Sequence, residues 1–138
     1  MGTRFSGSDA SALFVEADTN AADVASIGAN QRPNTALTIN GTDASGGAVS
    51  FTNSRLVTVT TTGTGDAGKT ILITGTDIDG AAQTETLTML GSATTVTGTK
   101  YFKTVTAGAV NTQPAANISV GMANNAAVAI YAGRARLQ

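Results

Sequence analysis

Short apolar runs alternate with turn residues along most of this chain, and several runs repeat with a period of two. Side chains two positions apart on a strand share one face, so such pairs are expected to point into a core. The pairs are Val57 and Val59, Ile71 and Ile73, Leu87 and Met89, Ile118 and Val120, and Val128 and Ile130. The pattern predicts strands over residues 35–40, 48–52, 55–62, 69–76, 82–90, 100–107, 117–122 and 127–132.

Many short strands separated by turn signals predict an all-β fold, an antiparallel β-sandwich or barrel-like domain. More than one strand pairing satisfies the same period-two pattern, so the sequence leaves sandwich and barrel open. Residues 1–34 are polar and rich in small side chains, and we expect them to form an extended N-terminal arm. Pro33 restricts the residue before it and marks the junction with a body over residues 35–138.

Composition narrows the classes of function. The chain has 138 residues, of which 12% are charged and 4% aromatic, with a net charge of −1. So small a charge provides no basic field for nucleic acid, and no apolar run approaches the roughly 20 residues that span a bilayer. Cysteine and histidine are both absent, which removes the usual nucleophile, metal ligands and general base. We therefore expect a protein that is not an enzyme, has no cofactor or metal, and binds neither nucleic acid nor membrane.

One segment matches a phosphate-binding pattern. Residues Gly63 to Thr70 read Gly-Thr-Gly-Asp-Ala-Gly-Lys-Thr, which fits the P-loop pattern G-x-x-x-x-G-K-[ST]. A P-loop needs a helix after it, but Gly75 follows Thr70 by five residues and the segment between them is mostly β-branched. The sequence instead predicts a hairpin loop between two strands, built on Gly63, Gly65, Gly68 and Asp66.

A short internal repeat predicts two turns of similar shape. Residues 39–46 resemble residues 73–80, with aspartate and glycine at matching positions. These residues suit the turns of hairpins. The segment Asp77-x-Asp79-Gly80 also suggests a calcium loop, but the glycine and glutamate of an EF-hand are missing at the required spacing.

Three further side chains invite a functional interpretation. Glu85 lies in a threonine-rich strand without a second carboxylate nearby, which favours a solvated strand residue over a catalytic acid. Tyr101 and Phe102 are flanked by lysines, as in single-strand nucleic-acid binders. Adjacent strand residues point to opposite faces, so we expect one ring in the core and the other on the surface.

Residues 73–88, followed by residues 98–106, resemble a stretch found in structural proteins of tailed-bacteriophage virions, above all the small β-rich proteins that decorate or cement the capsid. The resemblance extends over roughly residues 55–121. It implies a virion component on the capsid surface, made in the host cytoplasm. The implied partners are the major capsid protein and further copies of the same chain, with a homotrimer as the expected oligomer.

Apolar anchors on polar segments often dock on a partner, which gives candidate capsid or subunit contacts at both ends of the chain. They are Phe5, Phe14 and Val15 in the arm and Arg134, Arg136 and Leu137 in the tail. The alternative is an Ig-like or adhesin module of a phage tail or fibre that binds a surface ligand.

Overall fold

The computed structural model describes residues 22–123, which form seven strands and no helix. The strands are β1 (Asp23–Gln31), β2 (Ala44–Ser45), β3 (Ala48–Thr61), β4 (Thr70–Thr76), β5 (Ala82–Thr88), β6 (Thr95–Val110) and β7 (Ile118–Met122). Within these residues no helix is long and apolar enough to cross a membrane.

All the strands belong to one open antiparallel sheet with the order β1-β7-β3-β6-β4-β5, and β2 pairs with β3. The prediction of an all-β antiparallel fold is confirmed. Strand β6 connects the two halves of the sheet because its 16 residues pair with different neighbours along their length. Its first part pairs with β3, from Thr95↔Thr60 onward, and its last part pairs with β4, ending at Val110↔Ile71.

A single apolar cluster covers one side of this sheet. Phe102 is its largest fully buried side chain, and both sheet halves contribute to it. Full burial of an aliphatic side chain contributes on the order of 1.5–3 kcal/mol, so the cluster is a main source of stability. The described pairs expected from the period-two pattern are all buried: Val57 and Val59, Ile71 and Ile73, Leu87 and Met89, and Ile118 and Val120. Val128 and Ile130 lie outside the described residues.

Several strand boundaries differ from the prediction. Residues 35–40 form an isolated bridge, Ala36↔Ala109, rather than a strand, although Leu37 and Ile39 are buried as their alternation indicates. The strands predicted over 48–52 and 55–62 are one strand, β3, with a bulge between Ser50 and Arg55. Strand β6 starts at Thr95, before the start of the strand predicted over 100–107, because its threonines pair with those of β3.

Part of the segment expected to be an arm belongs to the sheet. Strand β1 pairs with β7 through Asp23↔Met122, Gly28↔Val120 and Gln31↔Ile118, and Ile27 is fully buried. The sequence did not reveal this strand because Ile27 is surrounded by small and polar residues, and its pairing partner is about ninety residues away. The outer edge of β1 is covered in turn by residues 41–43, whose backbone N–H groups donate to β1 carbonyls.

The loop after β3 is not the hairpin loop that the sequence predicted, since β6 lies between β3 and β4 in the sheet. It crosses from one side of β6 to the other. Both segments of the internal repeat end in hairpin turns, as predicted, but the two turns differ in shape. Two residues, Gly46 and Gly47, connect Ser45 to Ala48, whereas the five residues 77–81 connect Thr76 to Ala82. Gly46, between β2 and β3, has φ 62° and Gly80, between β4 and β5, has φ 85°, a region that favours glycine.

Candidate interaction surface

Most charged side chains of the described chain bind its own backbone. Residues 22–123 contain eleven charged residues, and eight of them hydrogen-bond to backbone N–H or C=O groups. The eight are Asp23, Arg32, Asp66, Lys69, Asp77, Glu85, Lys100 and Lys103. In the described part of the chain, charged side chains therefore mainly stabilise loops and strands.

The P-loop-like segment illustrates this use. Asp66 is fully buried, and its Oδ1 accepts a hydrogen bond of 2.5 Å from the Ala115 N–H. Lys69 Nζ lies 3.2 Å from the same Oδ1 and donates to the Gln113 carbonyl at 2.9 Å. The lysine that would bind phosphate is thus engaged between the two loops 62–69 and 111–117. The turn at Asp77 is similar, because its Oδ1 accepts from the N–H groups of Asp79 and Ala81.

The solvent-facing side of β4, β5 and the end of β6 is an uncharged surface, here called the threonine face. The burial pattern alternates along β4 and β5, which places even-numbered residues on the solvent side. Its residues are Thr70, Leu72, Thr74, Thr76, Thr84, Thr86, Thr88, Thr104, Ala107 and Ala109. Leu72, at its centre opposite Thr86, is 41% exposed. Interface cores are depleted in charged residues, and this face has that character.

A second feature lies where β5 approaches the first half of β6, without a backbone ladder between the two strands. The Glu85 carboxylate accepts hydrogen bonds from the N–H groups of Thr99 at 3.0 Å and Lys100 at 2.8 Å. The Thr99 hydroxyl also donates to it at 3.1 Å. Glu85 is therefore half-buried and bonded across to β6, rather than the solvated residue that the sequence suggested.

A bulge in β6 directs both N–H groups toward Glu85. Between the pairs Leu56↔Tyr101 and Thr58↔Thr97, strand β3 has one residue and β6 has three, so β6 carries two extra residues. Gly98 belongs to this bulge, and a β-carbon there would collide with the Glu85 carboxylate. A side chain at position 98 would therefore displace the Glu85 carboxylate.

Two more side chains bridge the same gap. Gln83 Nε2 donates to the Tyr101 carbonyl at 2.7 Å, and Lys100 Nζ donates to the Thr84 carbonyl at 2.8 Å. Residues 83–88 and 96–101 are here called the β5–β6 seam. Beside the bridging side chains, the seam contains a cleft of about 570 Å³ lined by residues 84–88 and 96–100. Side chains thus satisfy backbone groups that a neighbouring strand satisfies elsewhere in the sheet.

The candidate contacts from the sequence, Phe5, Phe14, Val15, Arg134, Arg136 and Leu137, all lie outside the described residues. Phe102 is fully buried, which confirms the expectation that one ring of the aromatic pair lies in the core, whereas Tyr101 is half-buried rather than exposed. The sequence did not point to the bond between Glu85 and the β6 bulge. A glycine flanked by threonines and followed by a lysine resembles a loop, and only the pairing of β6 with β3 brings it opposite Glu85.

Among residues 22–123, no group of three or more histidine, cysteine, aspartate or glutamate side chains is placed to hold a metal ion. Comparisons of the chain with protein-family models, with curated proteins and with solved structures found no match.

Proposed function

We propose that this chain is a non-enzymatic structural protein of a bacteriophage virion, which decorates the capsid shell and stabilises it. The observation that carries the proposal is the threonine face, a sheet surface of three strands without a charged residue. When a partner covers this face and displaces water from it, no charged side chain is buried without a counter-charge. The electrostatic contribution that opposes binding is therefore small. Residues 73–88 and 98–106, which resemble capsid-decorating proteins, contain many of the residues of this face.

The size of the face predicts how it is used. Three strands spaced about 4.8 Å apart and seven residues long, at about 3.4 Å per residue, cover roughly 300 Å². A stable interface of standard size buries about 800 Å² on each partner. One copy is therefore expected to bind weakly, and a homotrimer presenting three faces to the shell gains affinity by avidity. The proposed partners are accordingly the major capsid protein and further copies of this chain.

Shell binding by variants of the threonine face tests the proposal. Purified phage capsids that lack the protein are mixed with the full chain, and bound copies are counted after sedimentation. Leu72→Arg places a charge at the centre of the face and is expected to reduce occupancy at least tenfold while the fold is retained. Ser45→Arg, at an exposed position in β2, is the matched control and should bind as the unchanged protein does. If the Leu72→Arg variant occupies the shells as fully as the unchanged protein does, the threonine face is not the surface that contacts the shell.

The alternative function, a ligand-binding module of a tail or fibre, gives a different result in the same experiment. If the chain is such a module, the shells should remain unoccupied. The isolated monomer should instead bind carbohydrate in a glycan array. The described chain has few aromatic rings for sugar stacking, with Tyr101 half-buried and Phe102 in the core. The decorating role is therefore the one we advance.

A further inference from the structure

The outer edge of β1 is covered by residues 38–43, here called the β1 strap. The N–H groups of residues 41–43 donate to carbonyls of residues 25–27 over distances of 2.9–3.2 Å. Gly41 comes closest to the strand, because a β-carbon at this position would overlap the backbone of Ala25 and Ser26. The strap thus occupies an edge that would otherwise be open to a further strand.

The Gln31 side chain holds the strap from the end of β1. Its Oε1 accepts a hydrogen bond from the Thr38 N–H and its Nε2 donates to the Thr38 carbonyl, both at 2.8 Å. Nε2 also donates to Asn40 Oδ1 at 3.3 Å, and the Ala29 N–H donates to the same oxygen at 2.9 Å. The Asn40 carboxamide is therefore bound to β1, although the residue as a whole is exposed.

Asn40 and Gly41 form a chemically reactive pair, since a glycine after an asparagine offers little steric hindrance to cyclisation. In this reaction the Gly41 nitrogen bonds to the side-chain carbonyl carbon of Asn40. The carboxamide nitrogen leaves as ammonia and takes the proton of that N–H with it. Water then opens the cyclic imide and leaves aspartate or isoaspartate. No other asparagine in the chain precedes a glycine.

We propose that Asn40 is a deamidation site controlled by the β1 strap. Ring closure requires the Gly41 nitrogen to give up its proton, and in the closed strap that N–H donates to the Ile27 carbonyl at 2.9 Å. Close packing of Gly41 on the backbone of Ala25 and Ser26 also restricts the peptide rotation that ring closure needs. The reaction therefore proceeds from molecules in which the strap has opened locally.

The isoaspartate product changes the strap permanently. It adds one carbon to the backbone path between residues 40 and 41, where Gly41 already lies against the backbone of β1. Modified molecules are therefore expected to lose the hydrogen bonds between the strap and β1. Because an unpaired strand edge is a template for pairing with another chain, the modification converts a covered edge into an open one.

The rate of modification in the folded and unfolded full chain tests the proposal. The protein is incubated in mildly alkaline buffer with and without guanidinium chloride, and peptide mass spectrometry follows the conversion of Asn40. The folded protein is expected to react at least tenfold more slowly than the unfolded protein. Asn40→Gln identifies the signal, because its longer side chain cyclises far more slowly. Equal rates in the two states overturn the proposal.

Gln31→Ala tests the strap itself. The variant removes the bonds to Thr38 and Asn40 and should raise the rate in the folded protein severalfold, with strand content checked by circular dichroism. Gln83→Ala is the matched control, because it removes a side-chain bond to the Tyr101 carbonyl in the β5–β6 seam and leaves the strap intact. A rate for Gln31→Ala no higher than that for Gln83→Ala also overturns the proposal.

Urea denaturation of the isoaspartate form, separated by ion exchange, tests the consequence for β1. Its urea midpoint should lie below that of the unmodified protein, and equal midpoints would contradict the loss of the strap. None of these measurements involves capsid shells, so their failure and the failure of the proposed function are distinguishable.

Discussion

Glu85 and Gly98 have complementary positions across the β5–β6 seam, because the Glu85 carboxylate lies in the space that a β-carbon at position 98 would fill. The carboxylate satisfies the N–H groups of Thr99 and Lys100, which have no ladder partner on that side. The Glu85 side chain thus bonds β5 to β6, and the absence of a side chain at Gly98 leaves the space that its carboxylate occupies. The relationship can be tested directly.

Gly98→Ala is expected to lower the free energy of unfolding by roughly 1–3 kcal/mol, because the half-buried Glu85 carboxylate loses the hydrogen bonds that it accepts from the exposed residues Thr99 and Lys100. The added methyl group displaces the carboxylate from Thr99 and Lys100. Urea denaturation followed by circular dichroism measures the change. Thr97→Ala, at the exposed neighbouring position, is the control and should change stability by less than about 0.5 kcal/mol.

A double-mutant cycle separates this contact from a general effect of alanine at position 98. In a Glu85→Ala background the added β-carbon meets no carboxylate, so Gly98→Ala should then cost much less than in the unchanged protein. Neighbours in contact commonly show coupling of about 0.5–3 kcal/mol. Additive costs would show that the seam does not depend on this pair.

Asp66→Ala is expected to destabilise the protein by roughly 1.5–3 kcal/mol, the range for hydrogen bonds to charged groups. Asp66 is fully buried, and its loss leaves the Ala115 N–H unpaired and removes the ion pair with Lys69. Thermal unfolding measures the effect. Asp79→Ala, at an exposed turn position, is the matched carboxylate deletion, and equal losses from the two variants would contradict the role assigned to Asp66.

Lys69 gives a direct test of the phosphate-binding alternative. Because its ammonium group binds the Gln113 carbonyl and Asp66, we expect Mg-ATP to leave the midpoint of thermal unfolding unchanged. A ligand that binds the native state at a hundred times its dissociation constant stabilises by about 2.7 kcal/mol, a shift of several degrees. A shift of that size, abolished by Lys69→Ala, would restore the P-loop interpretation.

Ile27→Ala tests whether β1 is part of the folded body. The side chain is fully buried, and truncation of a buried isoleucine costs about 2–5 kcal/mol. Removal of residues 1–21 should preserve the urea midpoint, whereas removal of residues 1–34 takes away β1 and should lower the midpoint sharply. Equal midpoints for the two deletions would place the edge of the body at residue 34, as the sequence alone suggested.

The sequence by itself determined the strand content and much of the core. Period-two pairs such as Ile71 and Ile73 predict which face is buried, because alternation along a strand is a local property. The turns at Gly46 and Gly80 were also predictable, since left-handed backbone favours glycine through local sterics. Composition further indicated a chain with few reactive side chains.

Only the tertiary structure decided which strands become neighbours. Strand β1 contains one large buried residue and acquires its place by pairing with β7, and β6 extends back to Thr95 because β3 lies beside it. The loop from Gly63 to Thr70 looked like a hairpin because its residues favour turns, but β6 separates the strands that it joins. The contact between Glu85 and Gly98 likewise depends on a bulge whose register is set by pairing between distant segments. Such pairing depends on long-range packing, and a local pattern of residue types does not encode it uniquely.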